Sequence, residues 1–165
     1  LDLPITPQDY LDARKDVLLE RFRDTKALPG AKALTTHFFQ RGIPQAIATS
    51  SSSPIFEAKY EKHKQWFSQF KQIVRGDDPE LKEGKPAPDI FLLAAKRIGV
   101  EAEECLVFED APSGSEAALA AGMSVVVVPD PNMDHSHYKN ASQIISSLKD
   151  FDPEYWGLPK YTKVI

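Results

Sequence analysis

Residues 106–130 read LVFEDAPSGSEAALAAGMSVVVVPD and contain a complete strand–helix–strand unit. The apolar run at 106–109 predicts a strand. The capping-box pattern Ser113-Gly114-Ser115-Glu116 then predicts the start of an alanine-rich helix that stops at Gly122. The β-branched run at 124–130 predicts a second strand. Both strands are apolar along their length, which is expected when helices cover both faces of a parallel sheet.

The rest of the chain continues this alternation. The helices predicted from apolar spacing are one from Thr6 to about Arg23, one through Leu34 and Phe38 to a stop at Gly42, one through Phe56 and Tyr60, and one over 87–98. The two further predicted strands cover 44–49 and 72–76. Alternating strands and helices with short connections predict a doubly wound α/β domain, with the tail at 147–165 wrapping its surface.

The composition is that of one globular domain without a surface for nucleic acid or membrane. The 165 residues are 42% hydrophobic and 27% charged, with a formal net charge of −4, whereas those partners require a basic patch. The single cysteine, Cys105, excludes an internal disulfide and suits a reducing compartment, so we expect a cytoplasmic protein. Because the first residue is leucine, we also expect the chain to be part of a longer one.

Three polar clusters lie at or beside the carboxyl ends of predicted strands, where open parallel sheets bind ligands. The first, residues 49–52 (Thr-Ser-Ser-Ser), offers hydroxyl and amide groups to an anion, although a plain serine helix cap has the same pattern. In the second, Lys85 stands between Gly84 and Pro86 just before a helix. That setting suits an ammonium aimed at a ligand, but a solvated surface lysine could occupy the same position.

The third cluster is the pair Glu109 and Asp110, which repel each other unless a cation or hydrogen-bond donors meet them. Paired carboxylates suit Mg²⁺, which binds few protein carboxylates together with waters and phosphate oxygens. The alternative, that the acids cap the following helix, is weaker because Ser113 already supplies a cap. Together the three clusters indicate a phosphoryl-transfer site without a nucleophile.

The order of these clusters resembles the second, third and fourth motifs of the haloacid dehalogenase (HAD) superfamily. GKPAPDIFLLAAKRIG at 84–99 and LVFEDAPSGSEAALAAGM at 106–123 are similar to the subgroup with a helical cap, which includes β-phosphoglucomutases and many small phosphatases. GDDPELKEGKPAPDIF at 76–91 and LKDFDPEYWGLP at 148–159 most resemble the eukaryotic pseudouridine-5′-phosphatases. The resemblance implies a three-layer α/β core over 28–165 and the C-terminal part of a helical cap over 1–27.

The resemblance also implies a function, the Mg²⁺-dependent hydrolysis of a small phosphorylated metabolite, with pseudouridine 5′-phosphate as a candidate substrate. Thr49 would donate its hydroxyl to the phosphoryl group, together with the amide of Ser50. Lys85 would neutralise the phosphate and the nucleophile. Asp110 would ligate Mg²⁺, and Glu109 would hold the waters of the metal or its neighbours.

One part of the family pattern is missing from these residues. Family members carry Asp-x-Asp on a central first strand, between the strands that end here at Thr49 and Asp110, and this motif supplies the nucleophile and the general acid–base. No such strand is present, and the implied cap offers no credible substitute among its aspartates Asp2, Asp9, Asp12 and Asp16. The 165 residues are therefore expected to be inactive by themselves. Two other functions stay open: a non-catalytic protein of this fold that binds phosphate or a partner, and a phosphomutase of the β-phosphoglucomutase type.

The missing strand also predicts how the chain associates. Strands 44–49 and 106–109 would each present a row of unpaired backbone groups, which cost about 1–3 kcal/mol each when buried. We therefore expect that a lone, well-packed monomer does not keep an empty slot there. A segment outside these residues fills it, the two strands close and pair, or a second copy covers the exposed cap or sheet surface by self-association.

Overall fold

The computed structural model describes residues 4–161, in which helices and strands alternate along the chain. The helices are α1 (Pro7–Phe22), α2 (Ala31–Gln40), α3 (Ser53–Tyr60), α4 (Lys64–Phe67), α5 (Asp89–Ile98) and α6 (Pro112–Ala120). The strands are β1 (Ala46–Thr49), β2 (Gln72–Arg75), β3 (Leu106–Glu109), β4 (Ser124–Val127) and β5 (Gln143–Ile144). Short 3₁₀ turns cover Glu61–His63, Ala102–Glu104, His135–Tyr138, Leu148–Asp150 and Glu154–Trp156.

The strands are paired in parallel and form two separate sheets. One sheet contains β1 and β2, and the other has the order β3-β4-β5. Thr49 lies opposite Arg75, and Glu109 lies opposite Val127, so paired strands end together. The predicted α/β fold with parallel strands is confirmed.

Helices cover both faces of β4. Successive side chains of a strand point to opposite sides, so neighbouring residues of β4 contact different helices. Val125 and Val127 pack with residues of α5 and α6 in one apolar cluster. Val126 packs on the other side with α2 and Phe151. The sheet that contains β4 thus lies between two layers of helices, as expected for the predicted three-layer fold.

Helix α1 begins with the predicted capping box. The backbone N–H of Asp9 donates to Thr6 Oγ1 at 3.1 Å, and the backbone N–H of Thr6 donates to Asp9 Oδ2 at 3.0 Å. The helix packs against α3. The division of the chain into cap and core between residues 27 and 28 stays a prediction.

Two predicted features differ from the structure. The capping box at 113–116 is wrong: α6 begins at Pro112, and its N-cap residue Ala111 has no side chain that could cap it. Proline at the first helical position fixes the backbone for a helix start, and this replaces the predicted serine cap. The tail does more than wrap the surface, because Phe151 is buried against the rings of Phe38 and Phe108.

Strands β1 and β3 face each other across an apolar cavity of about 420 Å³, which we call the slot. Both strands line it, together with side chains of α2 and α5. Of the three expected outcomes, pairing of the two strands with each other is wrong, since they belong to different sheets. A segment from outside these residues, or a second copy, covering the slot stays a prediction. Each strand is held by its own neighbours instead: α5 packs on β1 and β2, and the tail packs on β3.

Candidate active site

The serine turn, residues 49–52, connects the end of β1 to α3. Within it, the backbone N–H of Ser51 donates to Thr49 Oγ1 at 3.2 Å. The Thr49 hydroxyl therefore accepts a bond from its own turn and keeps its O–H for another acceptor. Ser50 is exposed. Ser52 is the N-cap residue of α3 but makes no capping bond with its side chain, so the plain serine cap is not what the structure contains.

The first turn of α3 is capped from outside by Asp77. Its carboxylate accepts from the backbone N–H of Ser53 at 2.8 Å and from Ser53 Oγ at 3.0 Å. The bond from the Ser53 amide is the main reason that the pKa of Asp77 lies below its usual value. This aspartate satisfies the helix end, which leaves the hydroxyls of Thr49 and Ser50 outside the capping interaction.

Gly76 brings the end of β2 against the serine turn. Its N–H donates to the Ser51 carbonyl at 3.0 Å. A Cβ at this position would overlap the backbone carbonyl of Ser50. Only glycine permits this approach without moving the turn.

Lys85 reaches from its loop to the ends of β1 and β3. Its Nζ donates to the Ala48 carbonyl at 3.2 Å, forms an ion pair with Glu109 and lies 4.5 Å from the centre of the Phe91 ring. Its side chain is 9% exposed and that of Glu109 is 10% exposed. The lysine is thus not a solvated surface residue, and its charge lies beside the residue that precedes Thr49.

Glu109 also holds the turn that follows β3. Its Oε2 accepts from the backbone N–H groups of Asp110 at 3.2 Å and Ala111 at 3.5 Å. A Cβ on Gly114 would overlap this carboxylate, so the first turn of α6 packs closely on it. Sequence reasoning rated this capping role as the weaker alternative because of Ser113. In the structure, the Glu109 carboxylate accepts hydrogen bonds from the turn amides and also pairs with the Lys85 ammonium.

Asp110 is exposed, and within residues 4–161 its carboxylate has neither a hydrogen bond nor an ion pair. Its backbone carbonyl accepts from the hydroxyl of the buried Tyr138 at 2.6 Å. Burial is the main cause that raises the pKa of Tyr138, and the negative charge of Asp110 adds to it. The tyrosine is therefore a neutral donor that fixes the backbone under the free carboxylate.

The oxygen donors at this edge suit a hard divalent cation, but they are few. The described part of the chain contains no group of three or more His, Cys, Asp or Glu side chains that could hold a metal ion. Asp110 has the free carboxylate, whereas that of Glu109 is engaged by Lys85 and two amides. Asp110 can therefore supply one ligand of a Mg²⁺ site. Waters, phosphate or a residue from elsewhere would supply the other ligands.

The aspartates of the implied cap contribute nothing to this site. Asp9 belongs to the capping box of α1. Asp2 lies outside the described residues, as do the side chains of Asp12 and Asp16. A further Asp-x-Asp string occurs at 150–152, but it lies in the tail around the buried Phe151 and not on a strand.

Sequence reasoning missed Asp77, Gly76 and Tyr138. Gly76 is the last residue of a predicted strand and Asp77 follows it directly, and that position at a strand end could have identified them. Tyr138 had no such indication, because its role depends on a contact between segments 28 residues apart.

From residue 4 to residue 161, no helix is long and apolar enough to cross a membrane.

Comparison with known proteins gives consistent matches. The family model "Hydrolase: haloacid dehalogenase-like hydrolase" matches residues 3–122. The "(DL)-glycerol-3-phosphatase 2" of Arabidopsis thaliana is 48% identical over 160 residues, with 95% of this chain and 67% of the relative covered. The "Probable pseudouridine-5'-phosphatase" of Drosophila melanogaster is 42% identical over 164 residues, with 98% and 71% covered. Among solved structures, CbbY from Rhodobacter sphaeroides in complex with phosphate has a TM-score of 0.75 at 27% identity and covers 90% of this chain and 67% of its own.

Proposed function

The chain belongs to the haloacid dehalogenase-like hydrolases, and we propose that its site binds and hydrolyses a small phosphate monoester with Mg²⁺ when an aspartate nucleophile is supplied to the slot. The observation that carries this proposal is the buried Lys85 ammonium between the end of β1 and Glu109. A cation held there, on the carbonyl of the residue before a threonine whose hydroxyl can donate, suits a phosphoryl group.

Each residue has a role that its contacts support. Thr49 donates its free O–H to a phosphoryl oxygen, and the exposed Ser50 adds its amide. Lys85 offsets the negative charge of the phosphate, and Glu109 keeps the lysine in place. Asp110 is the residue of this chain that would hold Mg²⁺, which supplies further positive charge to the phosphate. Phosphoryl transfer depends mainly on such positioning and charge.

The nucleophile has to come from a strand in the slot. The slot lies between β1 and β3, whose carboxyl ends carry Thr49 and Glu109. An apolar strand there could pair with both neighbours and would place its own carboxyl end between those residues. The resemblance to the family supports Asp-x-Asp as the motif on that strand. We therefore propose that residues 1–165 alone have no turnover, because positioning cannot replace a nucleophile.

The substrates to try first are those named in the relatives. Glycerol 3-phosphate comes from the Arabidopsis relative and pseudouridine 5′-phosphate from the Drosophila relative. Both are small phosphate monoesters, and the residues described above address the phosphate that they share. A cytoplasmic location stays a prediction.

The test uses a chain extended upstream by a segment with Asp-x-Asp, assayed with Mg²⁺ on these two esters and on β-glucose 1-phosphate. The proposal expects release of inorganic phosphate from at least one ester, and loss of release in Lys85→Met. Conversion of glucose 1-phosphate to glucose 6-phosphate without free phosphate would instead identify a phosphomutase. Binding of phosphate without any turnover would identify the non-catalytic alternative.

A further inference from the structure

A second lysine contacts the serine turn from α3. Lys59 lies near the end of this helix, and its Nζ donates to Ser51 Oγ at 3.1 Å. The same ammonium lies 4.6 Å from the centre of the Phe22 ring, at the end of α1. Lys59 is half-buried. One side chain thus joins the serine turn to the last turn of α1.

Within the described part of the chain, Lys59 has no carboxylate at ion-pair distance, unlike three neighbouring cations. Lys62 pairs with Asp24, Lys64 pairs with Glu61 at 3.0 Å, and Arg75 pairs with Glu57 at 2.8 Å. Partial burial of an unpaired ammonium is unfavourable unless an anion or an aromatic face compensates for it. Phe22 gives part of that compensation, and an anion on the adjacent turn would give the rest.

We propose that Lys59 is a positioning residue for anion binding, which holds Ser51 and joins the serine turn to α1. This inference rests on the proposed function, because it assumes a phosphate on Thr49 and Ser50. Ser51 Oγ accepts from Lys59, and the Ser51 amide donates to Thr49 Oγ1, so the lysine fixes the residue that orients the Thr49 hydroxyl. Its charge also adds positive potential at the turn, and Phe22 shields that charge from water.

The experiment measures the Kd of inorganic phosphate in the presence of Mg²⁺, by calorimetry on residues 1–165 and on variants of them. Lys59→Met should raise the Kd about tenfold, the effect of losing one charge-assisted hydrogen bond. Lys59→Arg should restore most of the affinity. Lys64→Met is the matched control, since that lysine follows on the same segment but pairs with Glu61, and its Kd should not change.

Two further readouts separate positioning from a structural role. Ser51→Ala should weaken binding, and adding Lys59→Met to it should weaken binding little more, because both changes remove one contact. The Kd of Lys59→Met should also depend less on ionic strength than that of the unchanged chain. Melting temperatures of the variants confirm that each is folded. If Lys59→Met does not fold, Lys59→Gln is expected to give the same loss of affinity.

The outcomes distinguish this inference from the proposed function. An unchanged Kd in folded Lys59→Met, with binding lost in Lys85→Met, would overturn the role of Lys59 and leave the proposed function intact. Full additivity of Ser51→Ala and Lys59→Met would also overturn it. No phosphate binding by either residues 1–165 or the extended chain, when both are folded and unchanged, would overturn both.

Discussion

Lys85 and Glu109 form a buried ion pair at the centre of the proposed site, and single-residue changes there have predictable consequences. Removing one partner leaves the other charge buried and uncompensated. The stability lost in this way exceeds the stability that the intact pair contributes. Glu109 has additional partners in the amides of Asp110 and Ala111, whereas the further contacts of Lys85 among residues 4–161 are the Ala48 carbonyl and the face of Phe91. The two residues should therefore respond differently to substitution.

Lys85→Met should weaken phosphate binding at least 100-fold, because it removes the buried cation that bonds to the Ala48 carbonyl, directly before Thr49. Glu109→Gln should mainly lower the melting temperature, since the lysine then loses its counter-charge but remains near the phosphate. Calorimetric titration of phosphate and thermal melts check both. A Lys85→Met protein that binds phosphate like the unchanged chain would show that this lysine is structural.

Asp110 is the second residue whose change is informative. Asp110→Asn removes a carboxylate that has no partner within residues 4–161, so the fold should be unaffected. In an extended, active chain, the substitution should reduce turnover by roughly 100-fold or more and weaken the dependence on Mg²⁺, because the ion stabilises developing negative charge. Phosphate release measured against Mg²⁺ concentration checks this. Full activity of the variant, or full activity in EDTA, would contradict the role.

At the scale of elements, the loop from β2 to α5 carries Lys85, and its first residues are held by two helices. Asp77 caps α3. Asp78 accepts two bonds from Arg97 of α5 at 2.6 and 2.9 Å, and Arg97 also reaches Glu80 at 2.6 Å. A bidentate guanidinium–carboxylate pair defines both distance and orientation. The loop is thus attached to the two helices that flank the site.

The pH dependence of stability should report on this attachment. The hydrogen bonds from Arg97 lower the pKa of Asp78 below its usual 3.8. The lowered pKa means that the stabilisation is fully present above about pH 3.8 and is lost as the pH falls through the lower folded value. Asp78→Asn should therefore melt below the unchanged chain at pH 7, and the difference should shrink below pH 3.8. Thermal melts at pH 7 and pH 3 measure it. A difference that is the same at both pH values would contradict it.

Most elements were predictable from local patterns, and the exceptions depend on distant contacts. The capping box at Thr6 and the stop of α5 before Gly99 involve neighbours in sequence, so the pattern was sufficient. The turn before α6 is held by the Glu109 carboxylate, which also meets Lys85, 24 residues away. The two-residue strand β5 exists only because β4 offers an edge, and its own sequence contains no strand pattern.

The same holds for the proposed site. Thr49, Lys85 and Glu109 were identified as separate clusters, and Lys85 joins the two strand ends in the structure. That contact could be expected because parallel strands end at one edge. Lys59 and Tyr138 could not be found in this way, because each acts through one contact that only the packed fold creates.

At the scale of the whole molecule, the slot decides what the chain can do. It separates the two sheets, it is lined by apolar side chains, and Lys85 bridges its two sides at the end where the polar clusters lie. Unpaired strand edges are ready to accept another strand. We therefore infer that a strand in the slot would complete the fold and the site in the same step.

The most direct test measures release of inorganic phosphate from glycerol 3-phosphate and pseudouridine 5′-phosphate by three proteins. These are residues 1–165, the same chain extended by a strand with Asp-x-Asp, and the extended chain with the first aspartate of that motif changed to asparagine. We predict Mg²⁺-dependent release by the extended chain only. Release by residues 1–165 that persists through purification and disappears in Lys85→Met would contradict the need for that strand. A folded extended chain that binds phosphate but releases none from either ester would contradict the proposed hydrolysis of these esters.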